Sequence, residues 1–234
     1  MITTAILSGG LGTRMGNSSV PKQFLEMNGE PIINRTVDAL LLCNSIDKVL
    51  IVIHPEWRQY LINFIKTKSW YSITDIIDGG TSRIDSIENA VNYLHEKYID
   101  EDENIILLHD AVRPFINKKL IDTLIENVRI YHAVSPSVPV IDTLFWSENG
   151  QVIESIPQRN NLYHGQTPEA FDVALIRDCI FKLTKEQREQ NTGTAQICTV
   201  QGVSVHMIKG DQSNIKITTK EDYMLANYYF ESIL

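Results

Sequence analysis

Short apolar segments alternate with amphipathic ones through the first half of the chain, and this alternation constrains the fold more than any other feature. Residues 49–53 and 105–108 are continuous apolar runs of strand length, typical of parallel strands covered on both faces. Residues 82–95 and 118–131 carry their apolar side chains on one helical face. Strands and helices that alternate in this way predict an α/β fold, with a mostly parallel, twisted sheet between two layers of helices.

The pattern changes after Ala133. Two β-prone runs, 138–146 and 151–156, flank a turn signal at 147–150 and predict a hairpin. No repeat or linker interrupts the chain, so we expect residues 1–234 to form a single Rossmann-like domain that includes the hairpin. The other predicted elements are strands at 2–7, 73–77, 203–208 and 215–218, and helices at 56–66, at 173–183 and from Pro31 and Lys220.

A glycine-rich loop follows the first predicted strand. Its glycines, among them Gly9, Gly10 and Gly12, would let the backbone N–H groups approach a ligand closely. The loop has neither the Gly-Lys-Ser/Thr ending of a P-loop nor the third glycine of the dinucleotide motif. Arg14 and Lys22 add positive charge, which favours a nucleotide polyphosphate as the guest. The alternatives are a simple tight turn and two surface cations.

Two further clusters are predicted at the same edge of the sheet. Gly79 and Gly80 follow one predicted strand, and His109 and Asp110 end another. In a sheet of this type the ligand lies beyond the carboxyl ends of the strands. These segments and the glycine loop therefore predict one shared site.

Composition excludes several classes of function. The chain has 21 basic and 29 acidic residues, so general nucleic-acid binding and binding to an anionic membrane are not expected. No apolar run is long enough to span a bilayer, and no basic leader opens the chain, so we expect a cytoplasmic protein. The three cysteines are widely spaced in apolar surroundings, which favours buried, reduced thiols over a metal site.

Five sequence blocks carry a resemblance to sugar- and polyol-phosphate nucleotidyltransferases. The closest branch is the cytidylyltransferases that act on 2-C-methyl-D-erythritol 4-phosphate or ribitol 5-phosphate. The resemblance spans nearly the whole chain. The blocks are LSGGLGTRMG with PKQFL within residues 7–25, DGGTSRIDS at 78–86, HDAVRPF at 109–115, GQTP at 165–168 and NIKIT at 214–218.

The resemblance implies that an acceptor phosphate oxygen attacks the α-phosphorus of CTP and releases pyrophosphate. Such a reaction depends on positioning and charge neutralisation rather than on a covalent protein group. The implied catalytic cations are Arg14, Lys22 and Lys216, and Asp110 is the candidate Mg²⁺ ligand. The implied nucleotide-binding residues are Leu7, Ser8, Gly9, Gly10, Gly12, Thr13, Gly79, Gly80, Arg83, Ser86 and Asp110.

For the polyol phosphate, the resemblance implies binding by Arg113, Arg159, Thr167 and Thr192. It also implies that residues 138–160 form an arm that reaches across a two-fold axis, so we expect a homodimer. A hairpin packed on its own domain is the alternative. Exposed aromatic residues at a hairpin tip favour the arm.

Several of these residues also have simpler interpretations. Asp110 could pair with Arg113 as a loop brace, and Lys216 could lie on the solvated face of a strand. Ser82 or Ser86 could cap the helix that they begin. His109 is expected to pack or hydrogen-bond rather than to transfer a proton.

The segments 156–168 and 210–214 favour ribitol 5-phosphate as the acceptor, which would give CDP-ribitol for a cell-surface polymer such as teichoic acid or capsule. Ser213 stands where the methylerythritol branch has an aspartate, and Gly193 and Glu169 stand where the family usually has Asp and Gln. The alternatives are the methylerythritol-phosphate enzyme of isoprenoid synthesis, an enzyme for another polyol phosphate, and a non-catalytic nucleotide-binding relative.

Overall fold

The computed structural model describes residues 1–10 and 20–233 and contains one large sheet with helices on both sides. The strands are β1 (Ile2–Ser8), β2 (Glu26–Met27), β3 (Glu30–Pro31), β4 (Lys48–Ile53), β5 (Thr74–Asp78), β6 (Ile105–Asp110), β7 (Ala133–Pro139), β8 (Tyr163–Gly165), β9 (Glu169–Asp172) and β10 (His206–Lys209). The helices are α1 (Ile32–Leu40), α2 (Arg58–Ile65), α3 (Arg83–Lys97), α4 (Lys118–Tyr131), α5 (Val173–Phe181), α6 (Lys185–Glu189), α7 (Thr194–Thr199) and α8 (Lys220–Ile233).

The sheet has the strand order β10-β7-β9-β6-β1-β4-β5, and β8 pairs with β7. β1 runs parallel to its two neighbours, β4 and β6, and β4 runs parallel to β5. β10 runs parallel to β7. β9 lies antiparallel between β6 and β7. The predicted α/β class, with a mostly parallel sheet between helices, is confirmed. The parallel half places four carboxyl strand ends on one edge.

The alternating direction of side chains along β4 builds two cores. Val49, Ile51 and Ile53 point to the face covered by α1, α2 and α4, whereas Leu50 and Val52 point to the face covered by α3, α5 and α7. Each of these five side chains has no exposed surface. A strand that is buried on both sides has to be apolar at every position, which is why the sequence shows a continuous run here.

Side-chain caps fix the beginnings of the main helices. Ser82 caps α3 and forms a reciprocal capping box with Asp85, while Asn117 caps α4 and Asp172 caps α5. Each cap satisfies one of the amide groups that have no partner within the helix. The capping interpretation of Ser82 is therefore confirmed.

One predicted strand is wrong. Residues 215–218 form no strand and join no sheet; Ile217 donates one backbone hydrogen bond, to Val112, over 3.0 Å. Its fully buried side chain packs in a separate apolar cluster with Met27, Ile32 and Ala226. The alternation that predicted a strand thus reflects anchoring of the segment under α8.

The predicted hairpin is less regular than expected. The strand β7 ends at Pro139, and the two legs beyond it form a single antiparallel bridge, between Trp146 and Ser155. Much of the apolar surface of these legs faces solvent: Phe145 is 59% exposed and Ile141 is 65% exposed. Most of residues 141–160 are therefore exposed, and they do not form the predicted two-stranded ladder.

Among the described residues, no helix is both long enough and apolar enough to cross a membrane. The three cysteines are buried and free, in agreement with the interpretation of their spacing.

Candidate active site

A cleft of about 710 Å³ opens at the carboxyl ends of β1, β4 and β5. It brings together two sequence blocks that are about seventy residues apart. The predicted nucleotide-binding residues that line it are Leu7, Gly9, Gly10, Gly79, Gly80, Arg83 and Ser86, and His54 and Pro55 line the wall after β4. The cleft thus lies where the order of the elements predicted a ligand site.

Gly79 and Gly80 let the strand end pass close to the beginning of α3. A Cβ atom on Gly80 would lie 2.2 Å from the Cβ of Asp85, and one on Gly79 would lie 3.1 Å from the Oγ of Ser86. Ser86 uses that proximity, because its Oγ accepts from the amide of Gly80 over 3.1 Å and donates to the carbonyl of Ser82. Ser86 therefore holds the loop that lines the cleft.

Gln23 is a site residue that the sequence did not single out. Its buried side chain donates from Nε2 to the carbonyls of Ser8, at 2.9 Å, and Gly10, at 3.2 Å. It thereby fixes the described end of the glycine loop. Its position within the PKQFL block is the sequence feature that could have identified it as a site residue. Lys22 precedes it in a short 3₁₀ helix. The predicted residues Gly12, Thr13 and Arg14 lie outside the described residues.

Asp110 is the centre of a charged cluster at the end of β6. Arg83 Nη1 lies 2.8 Å from its Oδ1, and its Oδ2 is 3.0 Å from Lys216 Nζ and 3.2 Å from Arg113 Nε. Three sequence blocks therefore meet on one carboxylate. The loop brace between Asp110 and Arg113, which the sequence had left open, is present in the structure.

Electrostatics keep this carboxylate ionised. Burial would raise the pKa of Asp110, but the charges of Arg83, Lys216 and Arg113 hold that pKa far below its usual range. Three cations around one anion leave a local excess of positive charge, in a chain whose net charge is −8. Such a concentration attracts a polyphosphate.

Thr167 and His109 lie beneath this cluster. The Oγ1 of Thr167 accepts from the backbone amide of Asp110 over 3.1 Å and lies 3.0 Å from His109 Nδ1. If the hydroxyl donates to Nδ1, the proton of the ring is on Nε2, which lies 3.1 Å from the carbonyl of Arg113. Burial lowers the pKa of His109 to about 4. The histidine is thus a neutral, hydrogen-bonding residue, as expected. Thr167 was predicted to hold the acceptor phosphate, but it is buried and its hydroxyl is hydrogen-bonded within the protein.

A second brace fixes the segment that carries Lys216. The side chain of Gln166 exchanges two hydrogen bonds with the backbone of Asp211, and Asn214 Nδ2 donates to the carbonyl of Thr167 over 2.8 Å. Asn214 is fully buried. The conformation of the GQTP block therefore determines where Lys216 lies.

Two predicted acceptor residues are placed elsewhere. Arg159 donates to the carbonyl of Ile141 within the arm, over 2.7 Å. Thr192 lies before α7, where its backbone N–H and its hydroxyl both donate to Gln196 Oε1. Neither residue has a described contact with the Asp110 cluster within this chain.

The described residues contain no group of three or more His, Cys, Asp or Glu side chains that could hold a metal ion by itself. Asp110 offers one carboxylate, and both of its oxygens contact cationic side chains. This arrangement fits a metal that arrives with the phosphates of a substrate rather than a preformed protein cage.

Comparison with known proteins decides the family. The family described as IspD, 2-C-methyl-D-erythritol 4-phosphate cytidylyltransferase, matches residues 2–232. The chain belongs to the IspD family. It is therefore a CTP-dependent cytidylyltransferase by family, and the predicted class of enzyme is confirmed.

Solved structures of IspD proteins share the fold over the full chain. The 4-diphosphocytidyl-2C-methyl-D-erythritol synthase of Anaerococcus prevotii has 26% sequence identity and a TM-score of 0.81, with 98% of each chain covered. The IspD of Francisella tularensis has 22% identity and a TM-score of 0.78 over 97% of this chain and 99% of its own. That of Thermus thermophilus has 23% identity and a TM-score of 0.74 over 99% and 100%.

Proposed function

We propose that this protein transfers the cytidylyl group of CTP to 2-C-methyl-D-erythritol 4-phosphate and releases pyrophosphate. The match to the IspD family supports this acceptor. The observation that carries the transfer of the cytidylyl group is the junction of the glycine-lined cleft with the cations around Asp110. Arg83 belongs to both, because it lines the cleft and pairs with Asp110. The proposal takes the whole chain as one nucleotidyltransferase domain that works in the cytoplasm, where CTP is available.

The cations of the cluster would bind the triphosphate. Lys216 is 39% exposed and Arg83 is 35% exposed at their side chains, so both could turn from Asp110 towards an anion. Lys216, with Lys22 and Arg14, would meet the charge that grows on the α-phosphate in the transition state. Arg113 is only 12% exposed and also donates to the carbonyl of Asn214, so its main role would be to hold the cluster together.

Mg²⁺ would enter this site with CTP. Asp110 would hold it together with phosphate oxygens, in keeping with the preference of Mg²⁺ for one or two carboxylates plus substrate phosphates. When bound, the ion would neutralise charge on the triphosphate and on the departing pyrophosphate.

Ribitol 5-phosphate is the second candidate acceptor. It is favoured by Ser213, whose hydroxyl donates to Asp211 Oδ1 over 2.7 Å at the position where the methylerythritol branch has a carboxylate. Gln166 hydrogen-bonds the backbone of Asp211 and so links it to the segment of the cluster. The carboxylate of Asp211 already accepts hydrogen bonds from Asn117 and Ser213. A product of this alternative would be CDP-ribitol for a cell-surface polymer.

The test is pyrophosphate release with CTP and Mg²⁺ against a set of acceptors: methylerythritol 4-phosphate, ribitol 5-phosphate, other pentitol phosphates and glycerol phosphate. We expect release with methylerythritol phosphate that requires both CTP and the divalent cation. Release with ribitol phosphate alone would contradict this acceptor and support the second candidate. No release with any acceptor, while CTP still binds, would favour a non-catalytic relative.

We also propose that residues 138–160 pair two copies of the chain. The support is the exposed apolar surface of this arm, since patches of this kind usually mark an interface. Arg159 lies in the arm and makes its described contact there, so in a dimer it could act in the site of the other copy.

A further inference from the structure

One buried carboxylate close to the site has no part in the function proposed above. Glu169 begins β9, where it pairs in register with Leu108 of β6, two residues before Asp110. It is 7% exposed. A buried acidic group is costly unless hydrogen bonds and nearby charges compensate for its lost hydration. Its contacts therefore indicate what it does.

Glu169 reaches across to the N-terminus of α7. Its Oε1 accepts from the backbone amide of Ala195 over 3.2 Å and from the hydroxyl of Ser135, also over 3.2 Å. The residue at the capping position of α7 is Gly193, which has no side chain to offer. Glu169 thus supplies from another element the acceptor that the helix lacks in its own sequence.

The helix α7 depends on such support. It has only six residues, too few to be stable without tertiary contacts. From α7, Gln196 reaches back and its Oε1 accepts two hydrogen bonds from Thr192, from the amide at 2.9 Å and from the hydroxyl at 3.1 Å. The orientation of Thr192, a predicted acceptor residue, therefore depends on how firmly α7 is held.

Charge links the same residue to the cluster. Burial raises the pKa of Glu169, while the positive charge of Arg83 acts in the opposite direction. Arg83 also pairs with Asp110. Glu169 therefore contacts the N-terminus of α7 and interacts electrostatically with Arg83, a member of the Asp110 cluster.

We propose that Glu169 is a positioning residue: by capping α7 from β9, it holds the loop that carries Thr192 in a fixed place relative to the strand end that carries Asp110. The effect on the acceptor rests on the function proposed above and on Thr192 as an acceptor residue, which the sequence resemblance implies; the effect on α7 rests on neither.

The experiment exchanges the cap between the two positions. Gly193 has extended backbone, and a Cβ added there would have no neighbouring atom within 4 Å, so an aspartate fits and can cap α7 in the ordinary way. Glu169→Ala, Gly193→Asp and the double variant are compared with the unchanged protein. Asp172→Ala is the matched control, because Asp172 caps the neighbouring helix α5 from the other end of β9.

Two readouts separate the claims. Hydrogen–deuterium exchange of residues 194–199 in the free protein should accelerate about tenfold in Glu169→Ala and return in the double variant, while Asp172→Ala should leave it unchanged. The KM for the acceptor should rise about tenfold and be restored in the same order, with the KM for CTP within about twofold throughout. Glu169→Gln, which keeps the accepting oxygen, should stay close to the unchanged protein. If Glu169→Ala does not fold, the double variant should recover folding, and failure to recover it would contradict the proposed cap.

Unchanged exchange in Glu169→Ala, or no restoration by Gly193→Asp, would overturn the proposal. An equal rise in the KM for CTP would also overturn it, because the loss would then be general. If exchange responds as expected but no acceptor is turned over even by the unchanged protein, the function proposed above fails while the role of Glu169 in holding α7 stands.

Discussion

At the scale of single residues, the site is organised by buried polar side chains that fix the charged ones. Gln23 holds the end of the glycine loop, Thr167 holds the amide of Asp110, and Asn214 holds the segment of Lys216. The sequence pointed to the charged residues and the glycines, since their chemistry is evident from residue type. It could not identify Gln23 or the internal role of Thr167, because those depend on distant backbone groups that only the fold brings near.

Lys216 offers a direct test of the cationic cluster. Lys216→Ala removes a positive charge 3.0 Å from Asp110 and should lower kcat about 100-fold, as the loss of one transition-state donor typically does. Steady-state kinetics with saturating CTP and acceptor measure this. Lys209→Ala, on the exposed end of β10, is the control and should retain full activity. Equal kcat in the two variants would remove Lys216 from the mechanism.

His109 makes stability depend on pH. Its pKa in the folded protein is about 4, below the ordinary 6.5, so folding excludes a proton that the unfolded chain would bind. Above about pH 6.5 the histidine is neutral in both states and does not lower the free energy of unfolding. As the pH falls from 6.5 towards 4, the unfolded chain binds the proton first, so the free energy of unfolding falls. Urea unfolding between pH 7.5 and 4.5 should therefore show a falling free energy of unfolding.

The matched substitutions for this pH test are His109→Asn and His132→Asn. His132 ends α4 in a left-handed conformation that asparagine tolerates, and it is exposed. The pH slope should become shallower in the first variant and stay the same in the second. A slope that His109→Asn does not change would show that another group causes it.

At the scale of elements, regular helices were the most predictable part. The sequence places α4 at 118–131, as in the structure, because its apolar face and its Asn117 cap are both local signals. β8 and β9 were missed, since they are only three and four residues long and too short to show a clear alternation. Residues 215–218 look like a strand but have no strand partner.

The arm is the element whose role is most open to test. Light scattering at about 10 μM should give twice the chain mass of 26.6 kDa if residues 138–160 pair two copies. Phe145→Asp combined with Trp146→Asp should shift the protein towards monomer, because each would place a charge in an apolar contact. Phe181→Asp, an equally large change at an exposed phenylalanine of α5, should leave the mass unaltered. A monomer before any substitution would contradict the proposed pairing.

At the scale of the whole molecule, the sheet edge explains why distant blocks form one site. Parallel strands β1, β4, β5 and β6 end together, so each loop after them faces the same cleft or its charged rim. This much followed from the order of elements alone. The choice of acceptor did not, because it depends on small differences such as Ser213 and Gly193 within a shared fold.

A competition assay tests the central claim most directly. The enzyme receives CTP, Mg²⁺ and equal concentrations of methylerythritol 4-phosphate and ribitol 5-phosphate, and mass spectrometry separates the two products. The ratio of products equals the ratio of the two kcat/KM values. Our account predicts that the cytidine diphosphate ester of methylerythritol predominates at least tenfold. A predominance of CDP-ribitol would contradict it and assign the site to the polyol-phosphate branch.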